Sequence, residues 1–174
     1  MKNSNIKIRP EKAEDIPDIR KVEEAAFGRA AEADLVDLCR TRGKAILSLV
    51  AIEADRILGH ILFTPVTLDP PHPGWKGLGI GPVAVLPEFQ RTGIGSRLMT
   101  IGLEICRQNG FDFIVLLGNP AYYCHFGFIP GREFGLSSDY GDGDEFQARE
   151  MAPGVLRGAK AMVNYVPEFR EAGC

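Results

Sequence analysis

Val83-Ala84-Val85-Leu86-Pro87 closes an apolar run, and Gln90-Arg91-Thr92-Gly93-Ile94-Gly95-Ser96 follows within a few residues. Such a segment reads as a strand, a turn carrying two glycines, and the first turn of a helix. A helix start leaves backbone N–H groups without intrahelical partners, and the helix dipole makes that end electropositive. Gly93 and Gly95 remove the side chains that would keep an anion away from the main chain, and Arg91 adds a fixed positive charge. The segment is therefore a cradle for phosphate or pyrophosphate. It lacks the Gly-Lys-Ser/Thr of a P-loop, and it lacks the third glycine and following acidic residue of a dinucleotide fingerprint.

The flanking chain alternates between helical and strand periods. Ile6–Arg9 reads as a first strand, Glu11–Phe27 as a helix regular from about Pro17, and Ala31–Arg42 as a second helix ending before Gly43. Ile46–Glu53 and Ile57–Thr67 are joined by Ala54-Asp55-Arg56, a hairpin signal. The Pro-rich stretch Asp69–Gly77 is a loop, and Leu78–Val85 is the strand that feeds the cradle. Ile94, Leu98, Ile101 and Ile105 share one face of the next helix, which ends at Gly110. Phe111–Leu117 is almost continuously apolar, as a strand covered on both faces should be. A short helix follows Asn119-Pro120, then a strand near Phe128 and a loop over residues 131–145. Strands at Phe146–Met151 and Lys160–Val166 close the chain.

All 174 residues fit one α/β domain, with 45% hydrophobic and 25% charged residues. A net charge of -3, with no basic run, argues against nucleic acid as a partner. No span of membrane length or signal-peptide pattern occurs. Cys39, Cys106, Cys124 and Cys174 are scattered, which suits reduced thiols in the cytoplasm better than disulfides or zinc. His60, His72 and His125 are spread just as widely, so no metal is expected.

A second motif, Tyr123-Cys124-His125-Phe126-Gly127-Phe128, follows the next strand. Together, Gln90-Arg91-x-Gly93-x-Gly95 and Tyr123-x-x-x-Gly127-Phe128 resemble the signatures of the GNAT superfamily of acyl-CoA N-acyltransferases. The order of elements from Ile6 to Phe128 agrees with that family, with the core motifs in residues 78–130. The extension at 131–174 is matched more loosely, and resembles a bacterial branch of N-acetyltransferases. The resemblance implies a central mixed, mostly antiparallel twisted sheet with helices on both faces and a splayed pair of parallel strands.

It also implies acetyl-CoA as donor and an amine as acceptor, reacting directly in a ternary complex. Val83, Ala84 and Val85 would pair with the pantetheine arm, with the N–H near Val85 close to the thioester carbonyl. Gln90, Arg91, Thr92, Gly93, Ile94, Gly95 and Ser96 would surround the pyrophosphate, and Asn119 would contact the cofactor. Tyr123 corresponds to the residue that protonates the leaving thiolate, and a phenol with a pKa of about 10 can donate at neutral pH. Its other reading is an amphipathic core tyrosine. Tyr122 reads as packing, and Cys124 as a buried, inert thiol.

The sequence departs from the family in two places. The strand position where many members carry a glutamate base lies in Leu78-Gly79-Ile80-Gly81, which has no carboxylate. Glu23, Glu24 and Glu32 become the candidate bases, with Glu32 preferred, while His60 on a covered strand reads as structural. His125 stands where a lysine, arginine or serine is commoner. The acidic loop Asp139–Glu145 reads as solvated, though it could attract a cationic amine. Trp75 walls the acceptor site or caps the sheet. A non-catalytic coenzyme A-binding module is one alternative; an enzyme for longer acyl-CoAs or non-amine acceptors is another. Exposed C-terminal strands could pair two copies into a homodimer. The residues do not identify the acceptor.

Overall fold

The computed structural model describes residues 5–174. In chain order the elements are β1 (Lys7–Pro10), α1 (Ile16–Phe27), α2 (Ala31–Thr41), β2 (Leu47–Glu53), β3 (Arg56–Pro65), β4 (Thr67–Asp69) and β5 (Gly77–Val85). They continue with α3 (Ile94–Gln108), β6 (Phe113–Leu117), α4 (Pro120–Tyr123), β7 (Ile129–Pro130), β8 (Leu136–Ser138), β9 (Phe146–Glu150), β10 (Ala161–Asn164) and α5 (Glu168–Ala172). A seven-stranded sheet has the order β1-β2-β3-β5-β6-β9-β7, and a three-stranded sheet has the order β4-β10-β8. The chain groups into two compact units. The first takes residues up to Phe63, Pro82–Leu103 and Pro167–Cys174; the second takes Thr64–Gly81 and Glu104–Val166.

In the first unit, local chemistry sets the start of α1. The Asp15 carboxylate accepts from Lys12 N at 2.7 Å and from Arg9 Nη2 at 2.9 Å. Pro17 sits in the first turn, where its missing N–H costs nothing. Gly28, left-handed at φ 69°, ends the helix. Ile19 and Val22 are buried on the inner face, and so is Glu23, a charged residue that hydrophobic patterning alone would not place there. The antiparallel ladders β1–β2 and β2–β3 carry a core of Leu49, Val50, Ala51, Ile61, Leu62 and Phe63, all fully buried.

Helices cover both faces of this sheet. A Cβ placed on Gly59 would lie 3.1 Å from side-chain carbons of Ile94 and Leu98, and 3.0 Å from Ala84 O. That face of β3 therefore carries α3, and a side chain at Gly59 would push its neighbours back by a few tenths of an ångström. Successive strand residues point to opposite faces, so His60 points to the other side, where it meets Glu23 of α1. The Leu86 N–H donates to Leu58 O at 2.9 Å, which ties β3 to the end of β5.

In the second unit, β5 pairs in parallel with β6 from Gly77–Phe113 to Ile80–Leu116. Phe113, Ile114, Val115 and Leu116 are buried, as the apolar run predicts. β9 pairs antiparallel with both β6 and β7. The β10 strand runs antiparallel to β4 and parallel to β8.

Three readings of the sequence need correction. Residues 131–145, expected as loop, include a 3-10 turn at Gly131–Phe134 and strand β8. The α5 helix was not expected. β9 and β10, expected as exposed closing strands, each lie between two others. A three-residue strand has no measurable period, and β8 is specified by its partner β10, far along the chain.

Candidate active site

Within the first unit, the segment from Val83 to Ser96 takes the form the sequence suggests. Parallel pairing with β6 stops at Ile80, while β5 itself runs on to Val85. Val83 and Val85 are half-buried and alternate with buried Ala84, so one face of this stretch is accessible. A 3-10 turn at Pro87–Phe89 reverses the chain. Gln90 then donates from Nε2 to Val85 O at 3.0 Å, clamping the loop to the strand end, and Thr92 Oγ1 donates to Phe89 O at 2.6 Å.

Arg91 is left-handed at φ 59° and Gly93 at φ 91°. A non-glycine residue held in that region carries strain, and such strain collects at binding sites. Left-handed residues in a loop turn neighbouring N–H groups into a concavity that suits anions. Nothing lies within 4 Å of where a Gly93 side chain would begin. The helix α3 starts at once, with Arg97 N donating to Gly93 O at 3.0 Å. Ile94 is buried beneath the first turn, while Gly95 and Ser96 remain partly accessible. Main-chain donors, a helix dipole and the Arg91 charge thus converge at one open loop.

In the second unit, Asn119 caps α4 by accepting from Ala121 N at 3.0 Å. The ring of Tyr123 packs on Gly118, where any Cβ would stand 2.2 Å from Tyr123 Cε2. Tyr122 and Phe128 meet the same ring edge-on, at centroid distances of 4.9 and 6.2 Å. Tyr123 is therefore half-buried in a fixed orientation. Burial, helped by Tyr122, pushes its hydroxyl pKa up to about 12, so it stays protonated well above neutral pH. Gln147 Nε2 donates to Gly118 O at 3.0 Å and steadies the end of β6.

Cys124 departs from expectation: it is exposed, not buried. Its Sγ lies 3.4 Å from Ala121 O and 3.7 Å from His125 Nδ1, and that nitrogen is also 3.0 Å from Tyr122 O. In the acidic loop, Asp144 pairs with Arg132, and Ser138 donates to Gly141 O at 2.7 Å. Trp75 stacks on His72 at 3.7 Å and meets Phe113 edge-on. Among the described residues no cluster of His, Cys, Asp and Glu could hold a metal ion, and no helix is long and apolar enough to cross a membrane.

The three candidate bases all belong to the first unit and differ sharply. Glu24 is on the surface, with Oε1 2.9 Å from Arg20 Nε. Both oxygens of Glu32 are taken by Arg29, at 3.0 and 3.1 Å from Nε. Glu23 is completely buried, with Oε1 2.6 Å from His60 Nδ1 and Oε2 without a hydrogen-bond partner among the described residues. His60 Nε2 lies 2.8 Å from Ser48 Oγ, and Ser48 donates in turn to Glu11. Arg40 holds Glu11 at 2.7 and 3.1 Å. Sequence reading overlooked Ser48, Glu11 and Arg40. The available signal was a serine and a histidine on the covered faces of two otherwise apolar strands.

Residues 7–131 match the acetyltransferase (GNAT) domain family, and the chain belongs to that family. It is 31% identical over 164 residues to the uncharacterized N-acetyltransferase YhbS of Escherichia coli (strain K12), covering 93% of this chain and 97% of YhbS. It is 40% identical over 118 residues to the uncharacterized N-acetyltransferase YjhQ of the same strain, covering 67% of this chain and 65% of YjhQ. The crystal structure of E. coli YhbS in complex with CoA superposes with a TM-score of 0.88 at 30% identity, over 95% of this chain and 92% of that one. A Brucella melitensis GNAT acetyltransferase in complex with acetyl-CoA gives 0.78 at 36% identity, over 94% and 97%.

Proposed function

We propose that this chain transfers an acetyl group from acetyl-CoA to a primary amine by direct attack in a ternary complex. The observation that carries this reading is the accessible stretch Val83–Val85, free of β6 and leading into the left-handed turn at Arg91 and Gly93. The likeness to proteins solved with CoA and with acetyl-CoA supports it. A strand segment that runs on beyond its parallel partner suits the amide-bearing pantetheine arm, in the manner of an added strand. The turn and first helical turn, Gln90 through Ser96, suit a pyrophosphate, with Arg91 supplying the charge. Asn119 is the proposed second contact to the cofactor.

The donor supplies an acyl thioester, an electrophile whose carbonyl oxygen gains negative charge on attack. The main-chain N–H near Val85 would donate to that oxygen, the type of stabilisation worth most in acyl transfer. The attacking nitrogen needs its lone pair free, and the leaving sulfur needs a proton. Tyr123 is proposed to provide that proton, since its phenol is held neutral by burial. The preferred sequence candidate for the base, Glu32, has its carboxylate engaged by Arg29, which leaves the amine's proton to another group.

The test is amine-dependent release of thiol from acetyl-CoA, measured across a panel of small amines, amino acids and peptides. Turnover with at least one acceptor, and N-acetylated product by mass spectrometry, is expected. Coenzyme A binding without turnover on every acceptor would point instead to a binding module.

A further inference from the structure

We infer that the second unit carries a binding site for a small aromatic acid, one flat ring bearing a carboxylate or a phosphate. The site is the cavity between the Pro-rich loop after β4 and the turn before β10. The inference goes beyond the acetyl-transfer reading and does not depend on it. Every residue it uses lies in Thr64–Gly81 or Glu104–Val166.

The strand register makes the cavity. Asp69, the last residue of β4, pairs with Met162 near the start of β10 in an antiparallel ladder. The chain leaving β4 therefore runs beside the chain entering β10. The cavity there has a volume of about 220 Å³ and is lined by Pro71, His72 and Trp75 from one segment and by Arg157 and Lys160 from the other. Sites for drug-sized molecules run to about 300–1,000 Å³, so this one suits a single ring with its acid group.

Both walls are held by the protein itself. Trp75 N donates to His72 O at 3.1 Å and closes a turn. The imidazole of His72 stacks on the indole at 3.7 Å with 18° between the planes, and the indole meets buried Phe113 edge-on. A Cβ on Gly77 would stand 2.2 Å from Phe113 Cζ, so the missing side chain makes room for that ring. On the other wall, the Glu150 carboxylate accepts from Gly154 N at 2.9 Å and from Leu156 N at 2.7 Å, and Leu156 is buried. Ala159 N donates to Leu156 O at 3.0 Å, with Gly158 left-handed at φ 76° between them. Ala161 N then donates to Gly135 O at 3.3 Å, which fixes the far end of the turn.

The lining is aromatic and cationic at once. Arg157 and Lys160 are exposed, and among the described residues neither forms an ion pair. The nearby acids do not neutralise them. Glu150 is engaged by two main-chain N–H groups, Asp112 accepts from Lys76 N at 2.7 Å, and neither Asp69 nor Asp142 pairs with either cation. In a chain of net charge -3, two unpaired cations at one cavity leave a local positive potential that an anion would fill. A guanidinium matches the paired oxygens of a carboxylate or phosphate, and an ammonium adds a point charge. A flat ring gains contact with the half-buried indole that a bare ion does not. Ring and acid together are therefore preferred over either alone. Trp75 does wall a cavity, and this one needs no group from the first unit.

Trp75 is the only tryptophan in the chain, so its emission reports on this cavity. The experiment titrates the intact protein with benzoate and with phenyl phosphate, exciting at the red edge where tyrosine does not absorb. Calorimetry of the same titrations supplies the Kd independently. Saturable binding of at least one acid is expected, with a Kd of about 1 mM or below. The tighter of the two identifies the acid group that the site prefers. Benzamide, the ring without the charge, and inorganic phosphate, the charge without the ring, should each bind at least about ten-fold more weakly. Arg157→Ala and Lys160→Ala should each weaken binding about ten-fold, and Arg157→Glu should abolish it. Both positions are exposed, so the Tm of these variants should match the wild type. His72→Ala keeps the reporter, removes its stacking partner, and should weaken binding several-fold. No binding of either acid by either readout would overturn the inference. Benzamide or inorganic phosphate binding as tightly as the aromatic acids, or undiminished binding by Arg157→Glu, would overturn it too.

Discussion

Tyr123→Phe is expected to lower kcat for acetyl transfer about 100-fold or more while leaving acetyl-CoA affinity nearly unchanged. The phenylalanine keeps the ring that packs on Gly118 and against Tyr122 and Phe128, so the fold around α4 should survive. What disappears is one proton donor. A positioned general acid contributes about 10²–10⁴-fold, and the thiolate would have to take its proton from water. Because burial pushes the phenol pKa up to about 12, the wild-type acid should stay protonated through pH 10. Deprotonation of Tyr123 therefore predicts no descending limb in the wild-type profile below that pH. Equal kcat values for wild type and variant would remove Tyr123 from the mechanism and leave it as a packing residue.

Gly93→Asp should weaken acetyl-CoA binding about 100-fold. The position faces open space at the head of α3, so an added carboxylate would lie beside the proposed pyrophosphate site. Two like charges about 5 Å apart at an effective dielectric constant near 20 repel by about 3 kcal/mol. Each 1.4 kcal/mol is a factor of about ten in Kd. Because Gly93 is left-handed at φ 91°, any side chain there adds backbone strain. Gly93→Ala separates the two effects. It should cost about 1 kcal/mol of stability in urea unfolding, yet change the Kd only a few-fold. Equal binding by wild type and Gly93→Asp would move the phosphates elsewhere.

The strand, turn and helix start of the proposed donor side are legible because one contiguous segment carries them. Strand, turn and helix start all lie between Val83 and Ser96, and each has its own residue signature. The Tyr123 motif is similarly local, with Gly127 ending the short helix and Phe128 buried behind it. The Glu23–His60–Ser48–Glu11–Arg40 chain was not legible as a unit. Its members come from α1, α2, two strands and a connecting segment, and only the β2–β3 register and the packing of α1 bring them together. A lone glutamate on an amphipathic helix gives no sign of being buried, and Glu32, the candidate the sequence prefers, is held by Arg29. In the C-terminal extension, β8 and α5 are three and five residues long, too short for a period to emerge. Their order comes from β10 and α2, which the sequence places far away.

The central claim is that the Val83–Ser96 segment holds acetyl-CoA, and the most direct test is thermal unfolding of the wild-type protein across an acetyl-CoA titration. A ligand at about 100 times its Kd adds about 2.7 kcal/mol to the folded state. For a chain of this size that corresponds to a rise in Tm of about 5–10 °C. The expected result is a saturable rise of that order, largely lost in Gly93→Asp. No shift at millimolar acetyl-CoA would contradict the account.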